Sequence, residues 1–237
     1  MSIKVILFDL DGTLLPMDQD VFVKAYFGGI SKQMLSRGYD PKKLIESIFA
    51  GTYEMIKNNG EKTNEKVFWD KIVSIYGESI LKETPYFDSF YKEKFDSIKE
   101  VCGFAKEANE IIKLCKKEGF RVALATNPIF PAIATKKRIK WAGIDENDFE
   151  LITTYDNSYF SKPNLKYYED ILSKLGVTPE ECLMVGNDVN DDMVVTNIGM
   201  KTFLLTNDLI NTKNIDINLF PHGGYQDLKE FILNINE

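Results

Sequence analysis

Two aspartates that follow a short apolar run are the first residues of this chain whose types and spacing could do chemistry. The run Val5–Phe8 is unbroken, too short for a helix and half β-branched, which predicts a strand buried on both faces. Asp9 and Asp11 would then project to the same side where the strand stops, and Gly12 would let the chain turn away. Neighbouring carboxylates resist joint ionisation unless a cation lies between them, so the pair indicates a divalent-metal site. The alternative is a strand followed by an ordinary turn, in which Asp and Gly are common.

Polar residues also follow two later segments that predict strands. Thr126 and Asn127 follow a predicted strand over 121–125, and the acidic segment 186–192 follows a predicted strand over 182–185. Predicted helices and strands alternate in the second half of the chain, which is typical of a parallel sheet. Because ligands bind outside the carboxyl ends of the strands in such sheets, we expect one cleft to collect the hydroxyl, the carboxylates and a metal.

The chemistry that fits these residue types is phosphoryl transfer through an aspartyl intermediate. A carboxylate such as Asp9 can attack phosphorus only when the negative charge on both partners is neutralised, and Mg²⁺ bound by hard oxygen ligands suits that task. Lys162 and the hydroxyl of Thr126 would hold the remaining phosphoryl oxygens. Asp11, close to Asp9, would then act as the proton shuttle.

Four short motifs make the chain resemble the haloacid-dehalogenase-like hydrolase superfamily. They are D-L-D-G-T at 9–13, A-T-N at 125–127, S-K-P at 161–163 and G-N-D-V-N-D-D at 186–192. The resemblance covers the whole chain and is to phosphatases with an all-helical cap, such as phosphoglycolate phosphatases. It implies an α/β fold: a doubly wound parallel sheet of Rossmann-like type, with the first strand central, and a smaller all-helical cap domain.

The resemblance also implies a role for each matching residue. Asp9 would be the nucleophile and a metal ligand. Asp11 would be the general acid and base, and would also offer Mg²⁺ its backbone carbonyl. Thr126, Asn127 and Lys162 would bind the phosphate, with Lys162 also stabilising the charge of the reaction.

The fourth motif departs from the common form of the family. Many relatives have Gly-Asp at this place, whereas this chain has Gly186-Asn187-Asp188. We assign the direct metal ligand to Asp188, with Asp192 as its partner. Asp191 is the alternative ligand, and Asn187 could contact the site without charge.

The segment 18–99 is expected to be the cap domain, and 1–17 together with 100–237 the catalytic core. Hydrophobic spacing in 18–99 predicts four helices and no convincing strand. Asp40 and Pro41 mark the start of the second helix.

Two features of this helical stretch carry further expectations. Gly28 and Gly29 are expected to weaken or bend the first helix. Aromatic residues at helical spacing in the fourth helix could line a substrate cavity, but the pattern favours core packing: Phe87, Phe90, Tyr91 and Phe95.

Composition limits the partners of the chain. With 36 acidic against 29 basic residues, the net charge of −7 gives no basic surface for nucleic acid or an anionic membrane. The one basic cluster is expected to be a solvated helix face: Lys136, Lys137, Arg138 and Lys140. The three cysteines lack paired spacing, which predicts reduced thiols in the core. No leader-like start and no apolar run of ~18 residues is present, so a cytoplasmic protein is expected. Nothing in the sequence indicates an oligomeric state.

The function that these observations favour is a Mg²⁺-dependent phosphatase acting on a small phosphorylated metabolite. A dehalogenase would not need the carboxyl group of Asp11, because a halide leaves without a proton. A phosphomutase would use the same residues and stays an alternative, as does an idle binding protein on the same fold. An esterase is excluded because no G-x-S-x-G motif exists, and His222, the only histidine, is expected in a surface loop.

Overall fold

Six short strands form one parallel sheet in the computed structural model, which describes residues 2–237. Their bounds are β1 (Val5–Phe8), β2 (Arg121–Leu124), β3 (Leu151–Ile152), β4 (Cys182–Gly186), β5 (Lys201–Leu205) and β6 (His222–Gly223). The strand order is β3-β2-β1-β4-β5-β6, and every neighbouring pair is parallel. The predicted doubly wound α/β sheet is confirmed.

Strand β1 occupies the centre of the sheet, as expected. Val5 pairs with Arg121 of β2 on one side and with Cys182 of β4 on the other. The chain builds the sheet outward from β1 to β3 and then returns across β1 to form β4. Strand order therefore reverses between β1 and β4, and in open α/β sheets this is where ligands bind.

Helices cover both faces of this sheet: α5 (Lys106–Lys117), α6 (Ala132–Trp141), α7 (Leu165–Leu175) and α8 (Tyr225–Asn234). Side chains alternate along β1, so Ile6 and Phe8 belong to one hydrophobic core with α5, α6 and α8. Val5 and Leu7 belong to a second core with α7. Burial on both faces explains why the β1 sequence is apolar without interruption.

Residues 19–101, all of which the structure describes, contain helices and turns but no strand; we call them the helical segment. Its regular helices are α1 (Gln19–Leu35), α2 (Pro41–Ile56), α3 (Asn64–Tyr76) and α4 (Thr84–Ser89). The fourth predicted helix is irregular, because α4 continues into a π-helical turn, Phe90–Lys94, and a 3₁₀ segment, Phe95–Val101.

The two glycines of α1 lie inside the helix and do not end it. One continuous helix runs through Gly28 and Gly29. A Cβ atom on Gly29 would lie 2.9 Å from a ring carbon of Phe90, so this glycine allows the aromatic ring to approach the helix closely. The predicted start of α2 is confirmed, since the Asp40 side chain accepts a hydrogen bond from the Lys43 backbone N–H at 2.8 Å.

The C-terminal part of the chain adds an element that the sequence did not predict. His222 lies in the two-residue strand β6, where it pairs with Leu204 of β5, rather than in a loop. Its side chain is exposed, as expected. None of the helices within 2–237 has the length and apolar character that crossing a membrane requires.

Candidate active site

A cavity of about 160 Å³ lies at the carboxyl ends of β1, β2 and β4. It brings together every residue that the sequence singled out as a site candidate: Asp9, Asp11, Thr126, Asn127, Lys162, Asn187, Asp188, Asp191 and Asp192. They come from four separate parts of the chain. They meet because parallel strands deliver their carboxyl ends to one edge and strand order reverses at that edge.

Asp9 is fixed at the carboxyl end of β1 by hydrogen bonds of both its backbone and its side chain. Its backbone N–H donates to the Val185 carbonyl at 2.9 Å, which continues the pairing of β1 with β4. Its Oδ1 accepts a hydrogen bond from Lys162 Nζ at 2.8 Å. Its Oδ2 receives only a long hydrogen bond, 3.4 Å, from the Thr13 hydroxyl. One carboxylate oxygen is thus anchored, and the other is weakly engaged.

Lys162 is a buried cation held between two carboxylates. Its Nζ lies 2.8 Å from Asp9 Oδ1 and 2.6 Å from Asp192 Oδ1, and the side chain is only 2% exposed. Burial by itself would lower the pKa of Lys162, but the charges of Asp192 and Asp9 outweigh it and hold that pKa well above the ordinary value. The amine therefore stays protonated at the end of β1.

Asp192 serves as the inner partner of this lysine. Its Oδ1 accepts from Lys162, and its Oδ2 accepts from the backbone N–H of Asp188 at 3.0 Å. A Cβ atom on Gly186 would overlap the Asp192 carboxylate, which explains the glycine at this position. Both oxygens of Asp192 are engaged within the protein, so this geometry favours an anchoring role over the metal-ligand role that the sequence suggested.

Asp188 stands in a different environment from Asp192. Its Oδ1 accepts backbone N–H bonds from Asn190 at 2.7 Å and Asp191 at 3.1 Å. Within residues 2–237, no side chain or backbone group hydrogen-bonds to its Oδ2. Burial, followed by the nearby charge of Asp188, raises the pKa of Asp191 to about 6. Of the three acidic residues in this loop, Asp188 is the one with a fixed carboxylate and an open oxygen.

Thr126 and Asn127 reach the cavity from the end of β2. The Thr126 carbonyl accepts hydrogen bonds from the hydroxyls of Thr153 and Tyr167, both at 2.8 Å, which fixes the backbone. Asn127 Oδ1 is buried and has no hydrogen-bond partner in the part of the chain that is described. A buried polar atom without a partner is costly, so its position in this cavity indicates a place for a ligand or water.

Arg138 is the site residue that sequence reasoning missed. The prediction that it belongs to a solvated helix face was wrong, because its side chain is completely buried and its guanidinium pairs with Asp11 Oδ2. It also lies over the Phe130 ring, 4.5 Å from the centroid. The helical period could have revealed it, since the buried residues Ala134, Thr135 and Arg138 share the inward face of α6.

Asp11 is held by this arginine on one oxygen only. Its Oδ1 is buried and has no hydrogen-bond partner among residues 2–237. Burial raises the pKa of Asp11 above the ordinary value; the charge of Asp9 raises it further, and Arg138 opposes the shift. A raised pKa favours the protonated form that proton donation requires.

A family model described as haloacid dehalogenase-like hydrolase matches residues 3–194 of the chain. The chain belongs to the haloacid dehalogenase-like hydrolases. The match spans all four motifs and both strands that flank the site.

Two curated relatives are phosphatases by name, and a solved structure shares the fold. A glyceraldehyde 3-phosphate phosphatase from Methanothermobacter thermautotrophicus is 27% identical over 210 residues, which is 87% of each chain. A pyrophosphatase PpaX from Oceanobacillus iheyensis is 25% identical and covers 100% of this chain and 99% of its own. The crystal structure of a HAD phosphatase from Thermococcus onnurineus superposes with a TM-score of 0.61 at 16% identity, covering 98% of both chains.

In this haloacid dehalogenase-like hydrolase, Asn187 supports the turn that carries Asp9. Its Oδ1 accepts from the Thr13 hydroxyl at 3.0 Å, and its Nδ2 donates to the Asp208 carbonyl at 2.6 Å. The amide also lies against Gly12, whose φ of +82° is a left-handed conformation. An aspartate could not donate to Asp208, which gives a physical reason for the asparagine at this place in the motif.

The same cavity offers this hydrolase oxygen ligands for a hard cation. Within 2–237, no cluster of three or more His, Cys, Asp or Glu side chains is arranged to hold a metal alone. Mg²⁺ keeps several of its waters and needs only one or two carboxylates. Asp9 and Asp188 both line the cavity and each has a carboxylate oxygen with at most one long hydrogen bond, so the donor set fits Mg²⁺.

Proposed function

We propose that this chain is a Mg²⁺-dependent phosphatase that hydrolyses a small phosphorylated metabolite through an aspartyl-phosphate on Asp9. The observation that carries the proposal is the placement of Asp9 against the buried Lys162 in a cavity that Asp11, Thr126 and Asp188 also line. The phosphatase names of the relatives support the same reaction class.

In the first half of the proposed reaction, one carboxylate oxygen of Asp9 attacks phosphorus and the bond to the leaving alcohol oxygen breaks. Asp11 donates its proton to that oxygen as the bond breaks. Lys162 and the Thr126 hydroxyl hold the phosphoryl oxygens, whose charge spreads in the transition state. Asp192 keeps Lys162 in place.

In the second half, water attacks the phosphorus of the aspartyl-phosphate. Asp11, now without its proton, accepts one from the water, and the carboxylate of Asp9 is released with inorganic phosphate. Asp9, Asp188 and the backbone carbonyl of Asp11 would hold Mg²⁺, which when bound neutralises charge on the carboxylate and the phosphoryl group. Asp191 is the reserve ligand.

The helical segment supplies the remaining part of the proposal. Its residues Gln19, Phe22 and Val23 line the site cavity together with the residues of the strand ends. We therefore assign 18–99 as a cap that admits substrate when open and excludes water when closed, over a core made of 1–17 and 100–237.

Turnover of an aryl phosphate by the parent and by Asp9→Asn, with Mg²⁺ and with a chelator, tests the proposal. We expect the parent to lose activity with the chelator and Asp9→Asn to lose it entirely. Asp170→Asn is the matched control, because Asp170 makes only an ion pair with Lys174 on α7 and should keep full activity. Equal activity of the parent and Asp9→Asn would remove Asp9 as the nucleophile.

A further inference from the structure

A second cavity, of about 130 Å³, lies beside the site between the helical segment and the loop that follows β2. Nine of its fifteen lining residues are aromatic. Tyr26 and Tyr91 of the helical segment line this cavity, and their hydroxyl groups hydrogen-bond to each other at 2.8 Å. Phe49 and Trp69 contribute from α2 and α3. The walls are therefore mainly ring carbon.

This aromatic cavity adjoins the site cavity. Val23, Ile129 and Phe130 line both of them. A group attached to a phosphoryl moiety beside Asp9 would therefore pass these three side chains and enter the aromatic cavity. The predicted core packing of the aromatic stripe is confirmed, since Phe87, Phe90, Tyr91 and Phe95 are all buried in one hydrophobic core. Phe87 and Tyr91 also line the aromatic cavity, whereas Phe90 and Phe95 line neither cavity.

The electrostatics of the aromatic cavity disfavour a negative occupant. Asp88 is the one charged residue in its lining, and no Lys, Arg or His lines it in the part of the chain that is described. Ring faces also present negative charge to an occupant. Glu65, whose backbone N–H donates to the carbonyl of the lining residue Tyr155 at 2.9 Å, adds a second carboxylate on this side of the cavity.

The size of the aromatic cavity limits what it can hold. An apolar protein cavity of about 150 Å³ takes up a benzene molecule. At about 130 Å³, this one suits a single ring or a branched alkyl group of similar size.

We propose that the aromatic cavity binds the leaving-group side of the substrate, so that the substrate is a phosphomonoester whose alcohol carries an apolar body of about one ring and no negative charge. This inference rests on the proposed phosphatase function. It sets the chain apart from an enzyme that acts on pyrophosphate, whose leaving group is an anion.

Steady-state kcat/KM values for three small phosphates test this assignment. Benzyl phosphate carries one ring of the size that the aromatic cavity suits, methyl phosphate carries no such group, and phosphoglycolate carries a carboxylate toward a cavity whose one charged lining residue is Asp88. We expect benzyl phosphate to exceed both others by about 10- to 200-fold, the range that differences in apolar pocket filling produce. Equal values for benzyl and methyl phosphate, or a preference for phosphoglycolate, would overturn the assignment.

Two exposed positions provide variants that should still fold. Phe49 is 54% exposed and Asp88 is also exposed, so neither supports the core. Phe49→Ala should lower the ratio of kcat/KM for benzyl phosphate to kcat/KM for methyl phosphate about tenfold. Asp88→Lys should raise turnover of phosphoglycolate. A uniform loss on all substrates with either variant would contradict a leaving-group pocket.

A binding measurement separates failure of this inference from failure of the phosphatase proposal. Trp69 lines the aromatic cavity, and the Trp141→Phe variant has Trp69 as its one tryptophan. The fluorescence of this variant should change when benzylphosphonate binds. If no phosphate ester is turned over but this signal appears and weakens in Phe49→Ala, the pocket stands and the phosphatase proposal fails. If esters are turned over and the signal is absent, the pocket assignment fails alone.

Discussion

Asp11 shows how one residue's surroundings bear on the proposed reaction. Its pKa is raised chiefly by burial, and one of its oxygens is buried without a partner. Asp11→Asn should slow turnover of an alkyl phosphate, whose alcohol must receive a proton, at least 100-fold. The loss should be much smaller for a nitrophenyl phosphate, whose leaving group is stable as an anion. Equal losses for the two substrates in steady-state assays would remove Asp11 from the acid role.

Arg138 carries the second prediction at this scale. Arg138→Met would leave Asp11 without its cationic partner, and breaking a buried ion pair costs about 3–5 kcal/mol. Because Asp11 is partly exposed at the cavity, we expect about 3 kcal/mol in the free energy of unfolding, measured with urea. Lys140→Met, an exposed position on the same helix, is the control and should change stability by less than about 0.5 kcal/mol. Similar values for the two variants would contradict the structural role of the pair.

Some residues of the site could be predicted from the sequence and others could not. Asp9, Asp11 and Thr126 stand in short motifs at strand ends and Lys162 in a short motif before α7, so their convergence could be predicted. The site role of Arg138 could not be predicted from a motif. A cluster of basic residues predicts a solvated helix face unless the buried face of the helix is known. Asp188 and Asp192 differ in environment because of backbone N–H bonds and the space left by Gly186. These contacts could not be predicted from the residue types.

Helix α3 connects the helical segment by hydrogen bonds to the loops that carry Thr126 and Lys162. Asn64 at its start is completely buried, and its Nδ2 donates to the carbonyls of Pro128 at 3.1 Å and Phe160 at 3.2 Å. Pro128 follows the Thr126 motif, and Phe160 precedes Lys162 by two positions. One side chain therefore joins the helical segment to the loops that carry Thr126 and Lys162.

Asn64→Asp tests this junction. The carboxylate would face carbonyl oxygens in place of the donor amide, so we expect a loss of about 1–3 kcal/mol in the free energy of unfolding. Asn59→Asp is the matched control, because Asn59 is exposed and only accepts a backbone hydrogen bond, which Asp can also do. Urea unfolding measures the stability of both variants. Equal free energies of unfolding for the two would contradict the role of Asn64 in joining the helical segment to these loops.

The elements themselves were predicted where local signals are strong. The cap of α2 and the bounds of α3 follow from Asp40, Pro41 and Gly77, which act within one turn. The packing of Phe90 against Gly29 could not be predicted, because it depends on how α1 meets a distant part of the chain. The two-residue strand β6 has no apolar pattern of its own and depends on its neighbour β5.

For the whole molecule, reversal of strand order beside β1 gathers distant residues into one binding site. A ligand that binds only the folded protein stabilises it by mass action, by about 2.7 kcal/mol at 100 times its Kd. Saturating Mg²⁺ should therefore raise the melting temperature of the parent, and Asp188→Asn should abolish most of that shift. Asp170→Asn should keep the full shift. An equal response of Asp188→Asn and the parent would place the metal elsewhere.

Asp9 accepts the phosphoryl group in the proposed reaction, and trapping that group on the protein tests this role most directly. The parent, acid-quenched during turnover of an aryl phosphate with Mg²⁺, is digested and examined by mass spectrometry. We predict one added phosphoryl group on the peptide that contains Asp9, removable by hydroxylamine and missing from Asp9→Asn. A parent that turns over substrate while every trapped phosphoryl group lies on another residue would contradict the account.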